Sequence, residues 1–183
     1  MKICLVRHGQ TEANYEGIIQ GRENVELNDT GRRQCKKLKE KIKDKQYDYC
    51  YMSPMLRTVE TAIILIGDRV ETIPDKRLIE RDMGELTNKK REEYDTKKYW
   101  DYNLNSGDLG VEKVQDIFER CRDFLKYIIN KHSDSTIMIV SHSAVLRCIR
   151  HILLGTDVNG NLLCPIDNCY YEEINIDEKK ISI

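Results

Sequence analysis

Apolar residues fall along the chain in short runs that alternate with longer segments of helical spacing. Five of these runs have the length and the apolar content of buried strands, and they cover residues 3–6, 49–52, 70–73, 137–140 and 170–176. Strands that alternate with helices are typical of a sheet covered by helices. The pattern therefore predicts an α/β fold, a three-layer α/β/α sandwich around a mostly parallel sheet.

Between these runs, apolar residues recur three and four positions apart, which is the spacing of one helix face. The first predicted helix has Asn28 or Asp29 as its N-cap. We expect the apolar faces of the helices to pack against the sheet. The faces of the four predicted helices comprise Cys35, Leu38 and Ile42; Val59, Ala62, Ile63 and Ile66; Val114, Ile117, Phe118, Cys121, Phe124, Leu125 and Ile128; and Val145, Cys148, Ile149, Ile152 and Leu153.

The length and charge of the chain narrow the classes of function. A chain of 183 residues suits a single domain, which we expect to span residues 1–183. Thirty basic and 31 acidic residues leave a net charge of -1, which gives no electrostatic reason to expect nucleic acid or a membrane surface as a partner. No segment reaches the roughly 18 apolar residues of a membrane span, and Met1 leads into a short strand without a leader pattern. We expect a cytoplasmic protein whose oligomeric state is open, a homodimer being one alternative.

The cysteines are expected to be free thiols. Their number is odd, no two of them form a Cys-x-x-Cys pair, and most lie inside apolar segments. The seven positions are 4, 35, 50, 121, 148, 164 and 169. The pattern therefore favours neither a disulfide framework nor a metal site.

Charged and nucleophilic residues follow four of the predicted strands. Ligands of open α/β sheets bind beyond the carboxyl ends of the parallel strands. If these strands share one sheet, two histidines, two arginines and a carboxylate meet at one edge. The residues are Arg7 and His8 after the first strand, Arg57 after the second, Glu80 after the third and His142 after the fourth. Each alone has an ordinary structural explanation, but their joint placement indicates a site.

This set of side chains suits the transfer of a phosphoryl group. The guanidinium groups of Arg7 and Arg57 match phosphate oxygens in bidentate hydrogen bonds. Neighbouring positive charge disfavours protonation of His8, which then keeps a lone pair for nucleophilic attack. His142, if protonated, adds a hydrogen-bond donor for the charge that develops during transfer, and Glu80 is the candidate general acid and base.

Five sequence blocks appear in a characteristic order. They are residues 5–14 (LVRHGQTEAN), 21–31 (GRENVELNDTG), 53–62 (SPMLRTVETA), 78–85 (LIERDMGE) and 140–147 (VSHSAVLR). Together they resemble the histidine phosphatase superfamily, whose fold is called phosphoglycerate mutase-like, and the resemblance extends from Met1 to about Leu154. It implies a phosphatase that acts on a small phosphorylated metabolite and needs no cofactor and no metal.

The resemblance also implies a role for each matching residue. His8 would carry a phosphohistidine intermediate, and Glu80 would donate the proton to the leaving group. The implied phosphate pocket comprises Arg7, Arg57 and His142, and the implied further contacts to phosphate or substrate come from Asn14, Gln20 and the backbone of Ser143.

The sequence departs from the family pattern on both sides of a segment that we expect to cover the site. After Gly84 and Glu85 the family usually has an aromatic residue and an acidic-glycine pair, where this chain has residues 86–89 (LTNK). The family's Gly-Glu-Ser element appears as residues 110–113 (GVEK). Residues 88–110 mix basic and aromatic side chains and form the predicted lid. The segment is either a cover that selects the non-phosphate part of the substrate or an amphipathic helix with a solvated face.

Two other functions are compatible with the same residues. A phosphoglycerate mutase would return the phosphoryl group to another hydroxyl of its substrate, but mutases of the family tend to be longer, with larger insertions that exclude water. A non-enzymatic protein would bind a phosphorylated ligand in the same pocket, but every catalytic position has the expected residue type. The sequence therefore favours hydrolysis and leaves the identity of the substrate open.

Overall fold

The strands form one five-stranded sheet in the computed structural model, which describes residues 1–156, 158, 162 and 164–176. They are β1 (Lys2–Arg7), β2 (Tyr49–Met52), β3 (Thr72–Pro74), β4 (Thr136–Ser141) and β5 (Tyr171–Asn175). Their order across the sheet is β3-β2-β4-β1-β5. The first four strands pair in parallel, and β5 pairs antiparallel with β1 at the edge. The predicted mostly parallel sheet is confirmed.

Helices flank this sheet in the described part of the chain. The α-helices are α1 (Glu12–Tyr15), α2 (Asp29–Lys41), α3 (Leu56–Ile66), α4 (Val114–Lys131) and α5 (Ser143–Leu154). Short 3-10 helices cover Gly67–Arg69, Lys76–Leu78, Gly84–Leu86, Arg91–Glu93, Lys97–Trp100 and Asp108–Gly110. Asn28 is the N-cap of α2, and its side-chain oxygen accepts a hydrogen bond of 2.8 Å from the Gly31 amide. Among the described helices, none combines the length and the apolar character that a bilayer crossing requires.

The two faces of the sheet bury alternate residues of each strand, which produces the three layers. In β1, Ile3 and Leu5 join a core with the apolar residues of α4 and α5. Cys4 and Val6 point to the opposite face, where they pack with α2 and α3. A parallel strand is buried on both faces, which explains its continuous apolar run in the sequence.

The predicted buried face of α3 is wrong at Ile63, whose exposed fraction is 59%. The helix instead buries polar residues from its first two turns, because that part of α3 contacts the sheet edge described below. Thr61 lies between the helix and the loop after β1, and its hydroxyl donates to the Arg57 carbonyl (2.6 Å) and accepts from the Gly9 amide (3.1 Å). Apolar periodicity does not predict a helix face that buries polar residues. The buried residues of α3 are Arg57, Thr58, Thr61, Ala62, Leu65 and Ile66.

Candidate active site

Two neighbouring parallel strands place the two histidines of the site side by side. Arg7 ends β1 opposite Ser141, which ends β4, and His8 and His142 follow directly. The His8 amide donates a hydrogen bond of 3.1 Å to the Ser141 carbonyl, which extends the pairing by one residue. As a result the two imidazole rings meet edge to face, with their centres 5.2 Å apart.

The imidazole of His8 is held as a neutral ring with one defined tautomer. Its Nδ1 lies 2.7 Å from the carbonyl oxygen of Gly9, and the ring is only 2% exposed. Because a carbonyl can only accept, the ring proton resides on Nδ1 and the lone pair on Nε2. Burial lowers the pKa of His8 well below 6.5, and the positive charges of Arg7 and Arg57 lower it further. His8 therefore offers an unprotonated Nε2 at neutral pH.

His142 is also neutral, which differs from the protonated form considered from the sequence. Its Nδ1 accepts a hydrogen bond of 3.2 Å from Nε of Arg57, and its Nε2 lies 2.8 Å from the Ser53 hydroxyl. An accepting Nδ1 leaves the ring proton on Nε2, which then donates to Ser53. Burial, followed by the charge of Arg57, lowers the pKa of His142 well below 6.5. The ring is fully buried, and its contacts orient the arginine.

The guanidinium of Arg57 is fixed by backbone carbonyls as well as by His142. It donates to the carbonyl oxygens of Glu23 (2.6 Å) and Gly21 (3.1 Å), and the side chain is 1% exposed. Burial lowers its pKa to about 10, so the group remains a cation near neutral pH. Arg7 donates to the Ile166 carbonyl, while its buried Nε has no hydrogen-bond partner among the described residues. A buried donor without a partner is costly, and an anion in the site would satisfy it.

A cavity of about 380 Å³ opens at this edge of the sheet. Of the eight residues predicted for the site, seven line it: Arg7, His8, Asn14, Gln20, Arg57, Glu80 and Ser143. Glu80 is the one acidic residue among the described residues that line the cavity. Its carboxylate accepts a hydrogen bond of 3.0 Å from the Arg81 amide and is partly exposed. The structure thus brings the predicted residues to one place, with His142 buried behind Arg57.

Asn14 and Gln20 present amide groups whose oxygens are already bonded. The Asn14 oxygen accepts from the Thr11 amide (3.2 Å) and from Asn168 (3.1 Å), and the Gln20 oxygen accepts from the Thr11 hydroxyl (2.9 Å). The NH₂ groups of both side chains are therefore the parts left for an anion. Ser143 begins α5, and the backbone N–H groups of the first turn of a helix have no partner within the helix and can bind an anion.

Asn168 is a site residue that sequence reasoning missed. Its side-chain amide donates to the carbonyl of His8 (3.1 Å) and to the oxygen of Asn14 (3.1 Å). The residue precedes β5, and it reaches this edge only because β5 runs antiparallel to β1. The orientation of one edge strand is not encoded in its apolar pattern, so no signal in the sequence identified Asn168.

The predicted lid segment contributes side chains to the cavity but contains no α-helix. Residues 88–110 form three short 3-10 turns joined by irregular backbone. The alternative prediction of an amphipathic helix for this segment is therefore wrong. Tyr99 is the buried residue of the segment, and it packs with Ile19, Met83, Leu86 and Val111. Four of its residues line the cavity, namely Arg91, Thr96, Lys97 and Trp100.

Comparison with known proteins decides the family. The family model of the histidine phosphatase superfamily (branch 1) matches residues 3–183. The chain belongs to the histidine phosphatase superfamily. Phosphoserine phosphatase 1 of Hydrogenobacter thermophilus is 29% identical over 187 residues, which cover 98% of this chain and 89% of that protein. Phosphoglycerate mutase-like protein 4 of Arabidopsis thaliana is 32% identical over 158 residues, 81% of this chain and 69% of that protein.

A solved structure shares both the fold and a function of this kind. Phosphoserine phosphatase of Entamoeba histolytica in complex with 3-phosphoglyceric acid has a TM-score of 0.79 and 26% identity over 94% of this chain and 89% of that one. The family and these relatives make this histidine phosphatase a phosphoric monoester hydrolase that acts on a small phosphorylated molecule. The expected fold, activity and substrate class are confirmed.

The burial of the two imidazole rings determines how they respond to pH. We expect His8 and His142 to remain neutral when the pH falls through 6.5, because burial and neighbouring arginines disfavour their cations. Long-range ¹H–¹⁵N NMR spectra recorded between pH 5.5 and 8 should show a protonated Nδ1 for His8 and a protonated Nε2 for His142 throughout. The denatured chain serves as the control, with histidines whose pKa is about 6.5. A His8 ring that titrates at that pH in the folded protein would contradict the geometry.

Proposed function

We propose that His8 is the nucleophile of the phosphatase and that it forms a phosphohistidine intermediate. The observation that carries the proposal is the neutral imidazole with its proton held on Nδ1 by the Gly9 carbonyl, next to two guanidiniums. Nε2 attacks phosphorus, so that an N–P bond forms while the P–O bond to the leaving group breaks. His8 is activated because its Nε2 carries no proton and faces a pocket that attracts phosphate.

The cationic side chains stabilise the charge of the transferring group in this proposal. Arg7 and Arg57 donate to the non-bridging phosphate oxygens, and backbone contacts hold Arg57 in place before the substrate arrives. Neutral His142 positions Arg57 through its Nδ1. The NH₂ groups of Asn14 and Gln20 and the backbone amide of Ser143 supply further donors from the cavity wall.

Glu80 transfers the protons in both halves of the proposed reaction. As a carboxylic acid it protonates the leaving oxygen when the P–O bond breaks, and the product alcohol departs. As a carboxylate it then removes a proton from the water that attacks the phosphohistidine, which releases inorganic phosphate and frees His8. Its place as the acidic residue in the described cavity lining supports this role.

We also propose that residues 88–110 form a lid within a single domain and that the enzyme acts in the cytoplasm. The lid is supported by the four residues of this segment that line the cavity. The cytoplasmic setting is supported by the cysteines, all seven of which are free thiols.

Replacement of the nucleophile tests the proposal directly. We expect His8→Ala to lower the rate of p-nitrophenyl phosphate hydrolysis by at least ~10³-fold, because removing a nucleophile removes the whole covalent route. Wild-type protein quenched during turnover should carry phosphate on His8 that is labile in acid and stable in alkali. His132→Gln is the matched control, since His132 lies outside the cavity and should not change the rate. Phosphate on Ser53 or Ser143, or activity that survives His8→Ala, would overturn the assignment.

Replacement of Glu80 separates the two chemical steps. With Glu80→Gln we expect an alkyl phosphate to lose ~10²- to 10⁴-fold in rate, because its leaving oxygen needs a proton. The first step with p-nitrophenyl phosphate needs no such proton, so this variant should show a burst of nitrophenol followed by accumulated phosphohistidine. Glu85→Gln, an exposed carboxylate outside the cavity, is the control. Equal losses for the two substrates without phosphoenzyme accumulation would exclude Glu80 from the proton transfers.

A further inference from the structure

The cavity contains more positive charge than one phosphate requires. Besides Arg7 and Arg57, four cationic side chains line it, and we call them the second cation group. They are Arg81, Arg91, Lys97 and Arg147. Arg7 and Arg57 are the cations that lower the pKa of His8. None of the four belongs to the phosphate pocket of Arg7, Arg57 and His142.

Two members of the second cation group are locked over one aromatic ring. The guanidinium carbons of Arg147 and Arg81 lie 3.7 Å and 4.7 Å from the ring centre of Trp100. Arg147 also donates to the carbonyls of Ser143 (3.2 Å) and Leu162. This packing fixes the direction of both guanidiniums before any ligand binds.

The second cation group has no carboxylate partner within ion-pair distance among the described residues. Arg81 donates to the carbonyls of Glu112 (2.8 Å) and Tyr99 (2.7 Å), but its Nη2 is buried and has no described partner. The side chain is 1% exposed, so water compensates poorly for the missing bond. A buried cation with an open donor is unfavourable until an anion binds beside it.

From these contacts we infer that the second cation group binds a second anionic group of the substrate, either a carboxylate or another phosphate. The inference rests on the proposed function, because it assumes that the first phosphate occupies the pocket at His8. Preoriented guanidiniums select planar or tetrahedral oxyanions through paired hydrogen bonds. The substrate class is therefore a small phosphomonoester with two anionic ends, both of which bind within one cavity of about 380 Å³.

Two pairs of substrates distinguish the possible second anions. O-phosphoserine and O-phosphoethanolamine differ by one carboxylate, and propane-1,3-diol bisphosphate and its monophosphate differ by one phosphate. In one of the two pairs we expect kcat/KM to be at least ~10-fold higher for the substrate that has the second anionic group. A charge-assisted hydrogen bond contributes about that factor. The pair that shows the preference identifies the anion.

A variant then tests whether the second cation group causes the preference. Arg91→Gln with Lys97→Gln changes its two exposed members, and we expect it to reduce the ratio of kcat/KM within the preferred pair by ~10-fold. Arg33→Gln with Lys37→Gln removes two exposed cations of α2 outside the cavity and should keep the ratio. Ratios near one in both pairs, or a ratio that the Arg91/Lys97 variant does not change, would overturn the inference. If no phosphomonoester is hydrolysed at all, the proposed function fails instead.

Two thiols lie behind the loop that contains His8 and Gly9, which we call the nucleophile loop. The sulfur atoms of Cys35 in α2 and Cys169 before β5 lie 3.4 Å apart without a bond. Both residues touch the backbone of that loop: the Cys169 amide donates to the His8 carbonyl (3.2 Å), and a Cβ on Gly9 would come within 2.9 Å of the Cys35 sulfur. The hydrogen bond with Cys169 lowers the pKa of Cys35, and Cys169 is partly exposed.

The geometry points to a peroxide-sensitive site at this thiol pair. A hydroperoxide oxidises one thiol of the pair to a sulfenic acid and is itself reduced to the alcohol or, from hydrogen peroxide, to water. The sulfur of the other thiol then attacks the sulfur of the sulfenic acid, and the hydroxyl leaves as water with the thiol proton. A disulfide of about 2.05 Å requires the sulfurs to approach by more than ~1 Å, which shifts the backbone on which His8 rests. Oxidation therefore lowers phosphatase activity.

Mass spectrometry and activity measurements on the same samples test this site. After hydrogen peroxide treatment we expect a Cys35–Cys169 linked peptide and at least a fivefold loss of p-nitrophenyl phosphate hydrolysis, both reversed by dithiothreitol. Cys169→Ala should resist the reversible loss, whereas Cys164→Ser, which removes the exposed thiol, should behave as wild type. Absence of the linked peptide, or the same reversible loss in Cys169→Ala, would overturn the proposal.

Discussion

The hydrogen bond between Nδ1 of His8 and the carbonyl of Gly9 is the constraint on which the rest of the site depends. A ring buried to this degree could present either nitrogen, and the carbonyl selects the tautomer whose lone pair is on Nε2. The loop that supplies this carbonyl is itself held from three sides. Thr61 binds the Gly9 amide, Asn168 binds the His8 carbonyl and Ser141 accepts from the His8 amide.

The electrostatics of the site follow from keeping two imidazoles neutral beside two guanidiniums. If His142 were protonated, its Nδ1–H would face the donor Nε of Arg57, and that hydrogen bond would be lost. The neutral ring instead turns Arg57 toward the cavity while backbone carbonyls hold the other end of the guanidinium. Positive charge is thus concentrated on arginines, which keep it near neutral pH, and His8 stays unprotonated.

The distribution of charge within the cavity matters more than the net charge of the chain. The sum of -1 conceals a cavity in which six cationic side chains and one carboxylate appear among the described lining residues. Such an arrangement attracts anions, and its one described carboxylate, Glu80, is the proposed proton-transfer group. In the proposal, Arg7 and Arg57 bind the transferred phosphate and the second cation group binds another anionic part of the substrate.

The sequence by itself determined the fold class, the parallel strands and the residues that converge at their carboxyl ends. These properties depend on local pattern: an apolar run buried on both faces predicts a parallel strand, and the residue after it lies at the sheet edge. The same reasoning failed where burial is polar. Apolar spacing predicts that Ile63 is buried, but Thr58 and Thr61 occupy the buried side of α3.

Only the tertiary structure decided the features that depend on contacts between distant segments. The neutral state and the tautomer of His142 follow from its contact with Arg57, 85 positions away in the sequence. Asn168 reaches His8 across 160 positions because β5 is antiparallel to β1. The stacking of Arg81 and Arg147 on Trp100 likewise joins three separate regions. Residue types and spacing specify which groups reach the sheet edge, but hydrogen-bond partners and burial, which set charge and tautomer, exist only once those segments have packed together.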